Sequence, residues 1–115
     1  MRNAEERIGQ VVVLRIDHPI DRDHAQELEG WAQDRLAQGD RWLIWHCGKV
    51  LYFDSVGLET LLAITRAVTG AGGRFALAHV GTDCATTLRV TRLEKAIEHY
   101  LSLEEALRAL RGRAA

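Results

Sequence analysis

The sequence is short of the residues that announce specialised chemistry. It has one proline, Pro19, and only two cysteines, Cys47 and Cys84, which fit reduced thiols in a cytoplasmic protein rather than a disulfide framework. Aromatic residues are sparse at 6%, and the three tryptophans, Trp31, Trp42 and Trp45, fall in regular helix or strand patterns, so they read as packing residues and not as a stacking platform. Charge of one sign is also missing. The net charge is −1 and the isoelectric point near 6.5, so nothing favours nucleic acid or an anionic membrane surface. No apolar run approaches the ~20 residues of a spanning helix, and the opening "MRNAEERIGQ" lacks the apolar core of a secretion signal. A cytoplasmic location without direct membrane insertion is expected.

What remains is ordinary globular material: 47% apolar and 27% charged residues in 115, enough for one modest core and therefore a single domain over 1–115. "QVVVLRI" (Gln10 to Ile16) is β-branched and nearly continuous, as a strand buried on both faces would be. "DHPID" breaks it, because Pro19 cannot donate to a ladder and restricts His18 before it. From Asp23 to about Gln38, Ala25, Leu28, Trp31, Ala32 and Leu36 recur at helical spacing, and Gly39 stops the helix. "RWLIWHC" (Arg41 to Cys47) is a second core strand, with Trp42, Ile44 and His46 on a face that a partner could cover.

A second helix follows "LYFDSVGL", with Leu58, Leu61, Leu62, Thr65 and Val68 as its apolar stripe and "GAGG" as its stop. "RFALAHV" (Arg74 to Val80) is a third strand, and Thr82 can cap a short helix through about Leu88. A short final strand is expected near Ile97 to Tyr100. "SLEE" from Ser102 is a capping box that opens a last helix with Leu103, Ala106, Leu107 and Leu110 inward. Strand–helix alternation with short connections predicts an α/β fold: a mixed, largely parallel sheet of four or five strands with about four helices. Leu43, Trp45, Leu61, Leu62 and Leu77 are the predicted centre of the core.

Three sources of chemistry can be weighed against plainer readings. "GAGGR" follows a helix and precedes a strand, the reverse of a dinucleotide-binding loop, so it is a helix stop and turn and no cofactor is implied. The histidines and cysteines lack metal-ligand spacing, and His46 and Cys47 are strand neighbours pointing to opposite faces, so no metal site is predicted; His79 could approach His46 only in a particular strand register. Cys84 partnered by His79 or His99 lacks an oxyanion-binding loop and an orienting acid, so no catalytic residue can be named and the chain is not read as an enzyme. "DSVG" (Asp54 to Gly57) is different. Asp54 or Ser55 can cap the second helix and Gly57 can supply the tight turn, while the free amides there suit a phosphoryl group or an acidic side chain of a partner.

In order along the chain, "HPID", "LIWHCGKVLYFDSVGL", "GGRFAL", "TRLEKAI" and "SLEEAL" resemble the STAS domain of small bacterial anti-sigma factor antagonists. The resemblance implies a regulatory protein that binds an anti-sigma factor which is also a serine kinase; the kinase phosphorylates the hydroxyl residue before the glycine of the family's D-S-S/T-G turn and so ends binding. That position is Val56, which has no hydroxyl. Ser55, one residue earlier, is the alternative phosphosite, with little phosphate expected there because adjacent side chains of a tight turn diverge and Ser55 can be occupied in capping. His18 stands for the family's glycine, His46 for its strand aspartate and Arg92 for the glycine of its "TGL", whereas Asp21, Asp54, Ser55, Gly57 and Leu58 match. Asp21, Asp54, Ser55, Val56, Gly57 and Leu58 are thus the expected partner-binding residues. The resemblance also admits an accessory subunit of a lipid-transport or other signalling assembly.

Overall fold

The computed structural model describes residues 3–114, and it opens on a strand that the charged N-terminus did not suggest. Ala4–Ile8 (β1) turns through Gly9, at φ +62°, into Val11–Arg15 (β2), forming an antiparallel hairpin. The strand escapes a hydrophobicity reading because it lies at the sheet edge with Glu5, Glu6 and Arg7 exposed. Its side chains are tied down by polar contacts instead: Arg7 to Asp40 at 2.8 Å, and the Trp31 indole to Glu5 at 2.8 Å.

The other elements follow the predicted order. Helix α1 spans Ala25–Ala37, strand β3 Trp42–His46, helix α2 Ser55–Gly70, strand β4 Arg74–Ala78, helix α3 Thr82–Val90 and helix α4 Leu103–Ala114. The sheet order is β1-β2-β3-β4, with β2–β3 and β3–β4 parallel. The architecture is a single α/β domain with a four-stranded mixed sheet and four helices.

Alternation along the strands feeds two cores. Val12, Leu14, Leu43, Trp45, Phe75 and Leu77 face α1, α2 and α3, while Val11, Val13, Ile44, Ala76 and Ala78 face α4. All of β2 except Arg15 is buried, as its unbroken valines predicted. Of the five expected core residues only Leu62 is half-buried, because the inward stripe of α2 is Gly57, Thr60, Leu61, Ile64 and Val68. Thr65 is not part of it; its hydroxyl donates to the Leu61 carbonyl of its own helix.

Three further expectations are corrected. Residues 97–100 make one parallel bridge, Leu77 to His99, and no named strand; on the β4 side, Leu77 and Val80 are the residues that exchange backbone hydrogen bonds with them. Gly81, not Thr82, is the N-cap of α3. The Trp42–Ile44 face is not open: α4 seals Ile44 and leaves Trp42 half-buried. Helix α1 has His24 at its N-cap position, with no side-chain cap. The Ser102 cap of α4 forms as predicted, accepting from Glu105 N at 3.1 Å. Arg74 then ties the 97–100 segment to the sheet through a bidentate pair with Glu98, and α4 through a bond to the Ala109 carbonyl.

Candidate functional site

The chain between β3 and α2 is shaped by an exchange of backbone bonds with the segment between β2 and α1. Ile20 N donates to Tyr52 O at 3.2 Å and Asp54 N to Ile20 O at 3.3 Å, making a one-residue parallel bridge between Ile20 and Phe53. Asp54 is extended, at φ −93° and ψ −178°, which aims its carboxylate back over the start of α2. One oxygen accepts from Gly57 N at 2.7 Å and the other from Arg22 N at 3.0 Å. Asp54 is therefore the helix cap and also the pin that holds the 17–24 segment against the helix.

Gly57 is buried where that segment crosses α2. Ser55 is exposed and its hydroxyl makes no hydrogen bond among the described residues, so it is not the cap. Val56 is half-buried, and its carbonyl accepts from Thr60 Oγ1 at 2.9 Å. Leu58 is half-buried against the first core.

Asp21 is buried beneath the same turn, with Oδ1 2.6 Å from His24 Nδ1, which donates to it. Burial alone would raise the Asp21 pKa, but the hydrogen bond and charge of His24 outweigh it and hold the carboxyl below the usual carboxylate range. His24 stacks on His18 with ring centroids 3.7 Å apart and planes within 7°. Asp21 is thus held within the fold beneath the turn, bonded to His24. Besides Ser55, the residues that face solvent here are two large hydrophobics, Leu51, 75% exposed, and Tyr52, 49% exposed. Neither was among the expected partner-binding residues, which were Asp21 and the Asp54–Leu58 turn; the signal was Gly48, which follows the strand and leaves these two large apolar residues in a loop.

The other candidates separate. Cys47 and Cys84 are both buried. Burial pushes the Cys47 thiol far above its ordinary pKa and raises that of Cys84, whose Sγ donates to Val50 O, so neither has the character of a nucleophile. His99 bonds its own chain at Ile97 O. His46 and His79 do meet, stacked at 5.1 Å. Among the described residues no cluster of three histidine, cysteine or acidic side chains is placed to hold a metal ion.

The model of the STAS domain matches residues 4–106. The chain belongs to the STAS domain family. Among its curated relatives is a Thermotoga neapolitana protein provisionally named an anti-sigma factor antagonist, 26% identical over 107 residues that cover 92% of this chain and 95% of the relative. A crystal structure of a Thermotoga maritima protein with the same provisional name superposes with a TM-score of 0.88 at 23% identity, covering 95% of this chain and 94% of the other. An anti-sigma factor antagonist from Mycobacterium paratuberculosis does so at 0.83 and 27%, covering 95% and 92%. In this STAS domain, then, Asp21, Asp54 and Gly57 are engaged in contacts within the fold at the turn after β3, while Leu51, Tyr52 and Ser55 are exposed and Val56 is half-buried. No described helix is long and apolar enough to cross a membrane.

Proposed function

We propose that this protein is a cytoplasmic, non-enzymatic regulator that binds an anti-sigma factor of the serine-kinase type through the turn between β3 and α2, and that it does so without a phosphorylatable residue at Val56. The observation that carries this reading is the division of labour within the turn. Asp54 and Gly57 are consumed by internal contacts, while apolar Leu51, Tyr52 and Val56 are left wholly or partly in solvent, where burial against a partner would gain free energy. A carboxylate or phosphate at position 56 would bring charge into the middle of that contact.

Pull-down from lysate of the source bacterium with the wild-type protein should recover an anti-sigma factor with a kinase domain. Val56→Glu and the double variant Leu51→Ala/Tyr52→Ala should recover it poorly while melting as the wild type does. Undiminished recovery by both variants places the interface elsewhere. Recovery of a permease or transport ATPase in place of the kinase establishes the other partner class that the family resemblance admits.

A further inference from the structure

Helix α4 turns Ala106 and Leu110 fully into the second core, but Leu103 and Leu107 are only half-buried against it. Those two leucines lie one turn apart on a single flank of the helix. An open groove of about 660 Å³ follows that flank, lined by Leu103, Glu104, Leu107, Arg108 and Arg111. Among the described residues, no other element of the fold lines it.

The charges on this flank are ordered along the helix axis. Glu104 stands in the first turn of α4, and the exposed Arg111 follows seven residues later. Seven residues are almost two full turns, so both side chains project to the same side, about 10 Å apart along the axis. Glu104 Oε1 accepts from Arg108 of the same helix at 3.0 Å, an exposed i,i+4 pair that contributes little to stability. The other Glu104 oxygen and the Arg111 guanidinium have no partner among the described residues.

This order of charge is complementary to itself. When two α4 helices lie antiparallel about a two-fold axis at Leu107, Arg111 of one copy falls level with Leu103 of the other, one residue from Glu104. Each Glu104 then meets an arginine of the second copy, twice by symmetry, on either side of a centre made by the Leu103 and Leu107 side chains. The antiparallel arrangement also places the two helix dipoles head to tail. The other route to a dimer, pairing of sheet edges, is guarded. The edge strand β1 presents Glu5, Glu6 and Arg7, and Glu5 and Arg7 are already bonded to Trp31 and Asp40.

We propose that two copies of this chain associate through the flanks of α4, as a two-fold dimer held by Leu103, Leu107 and two Glu104–Arg111 pairs. A contact built on one helix of 12 residues falls below the ~1,200 Å² of standard interfaces, so the dimer is a transient one that fills as concentration rises. Helix α4 covers the sheet face opposite α1, α2 and α3, so the dimer presents the turn before α2 twice. The flank shares no residue with that turn, and self-association and partner binding are therefore tested separately.

Sedimentation equilibrium of the full chain from about 10 μM to about 1 mM, the span of weak association, tests the proposal. The natural protein should pass from monomer toward dimer across that range. Glu104→Arg and Arg111→Glu should each weaken self-association about tenfold or more, because like charges then face each other across the axis, while melting as the natural protein does. An equimolar mixture of the two variants should dimerise again, since one copy then carries cations at both positions and the other carboxylates. A natural protein that stays monomeric throughout, which would leave the groove to a different protein, overturns the proposal. So does a single variant that dimerises as the natural protein does, or a mixture that remains monomeric.

Discussion

The backbone of Gly57 lies directly against the carbonyl of Ile20: a Cβ on Gly57 would sit 1.8 Å from that oxygen and 2.6 Å from its carbon. The first turn of α2 and the 17–24 segment are thereby in main-chain contact, and neither side has a flexible atom that can give way. Gly57→Ala should cost about 2–4 kcal/mol by forcing the two segments apart. Gly30→Ala in α1, where a Cβ meets nothing within 4 Å, should instead gain about 0.5–1 kcal/mol. Chemical denaturation of both variants checks this; equal midpoints would mean that the segments can separate freely.

Asp54 needs a different test from the one its sequence motif suggests. Charge reversal of a contact residue should lower affinity by about 1–3 kcal/mol, but Asp54 also accepts from Gly57 N and Arg22 N. Asp54→Lys should therefore lose stability along with affinity, and Asp54→Ala should lose about 1–2 kcal/mol of stability from the cap alone. Asp54→Asn keeps an acceptor for Gly57 N and should stay close to wild type. Leu58→Ala, at a half-buried position against the first core, should lower both the melting temperature and affinity. Titration calorimetry beside thermal denaturation separates the two contributions.

Val56 cannot accept phosphate, and Ser55 is the neighbouring hydroxyl. Because Asp54 supplies the cap, Ser55 is open to solvent, which removes one of the two reasons for expecting it to stay unmodified. The other reason stands: successive residues of a helix point about 100° apart, so a kinase aimed at position 56 does not find the Ser55 hydroxyl there. With the kinase of its own regulatory system, the natural protein should gain no phosphate and Val56→Ser should gain one, as read by intact mass. Stoichiometric phosphate on the natural protein that disappears in Ser55→Ala would show that the switch has moved by one residue.

Stability should fall on the acid side in two stages. His46 has a lowered pKa in the fold, with burial the largest cause, so the unfolded chain takes up a proton first as pH drops below about 6.5, and stability is lost from there down. Asp40, whose hydrogen bond from Arg7 lowers its pKa, and Asp21, held down by His24 against its burial, contribute stability that is present above about pH 4 and lost as pH falls through their folded values. His46→Gln should flatten the upper stage of a melting-temperature profile and leave the lower one. Asp40→Asn and Asp21→Asn should flatten the lower. A profile unchanged in all three variants contradicts these assignments.

Most elements were legible because the patterns are strong: the buried run of β2, the 3.6-residue spacing of α1, and the Ser102 box of α4 each express one dominant force. The misreadings share a cause as well. β1 is held by ion pairs and an edge pairing, which leave no apolar period, and residues 97–100 extend β4 by a single bridge that no propensity marks. At the site, the sequence pointed to the turn but could not say that Asp54 also takes the Arg22 amide or that Gly57 is forced by Ile20, since both depend on a segment more than thirty residues away. Likewise the His46–His79 pair depends on the register of β3 against β4.

Sheet order here is the same as chain order: each strand joins the edge left by the one before, and none has to be inserted between two already in place. The chain can therefore assemble from its N-terminus as it leaves the ribosome, starting from the local β1–β2 hairpin, without waiting for a distant strand to open a gap. The last piece to arrive is α4, and until it docks Val11, Val13, Ile44, Ala76 and Ala78 present one bare apolar sheet face. The bidentate grip of Arg74 on Glu98 and its bond to Ala109 O then act as the closing latch of synthesis, ending the interval in which a nascent chain is most prone to stick to its neighbours.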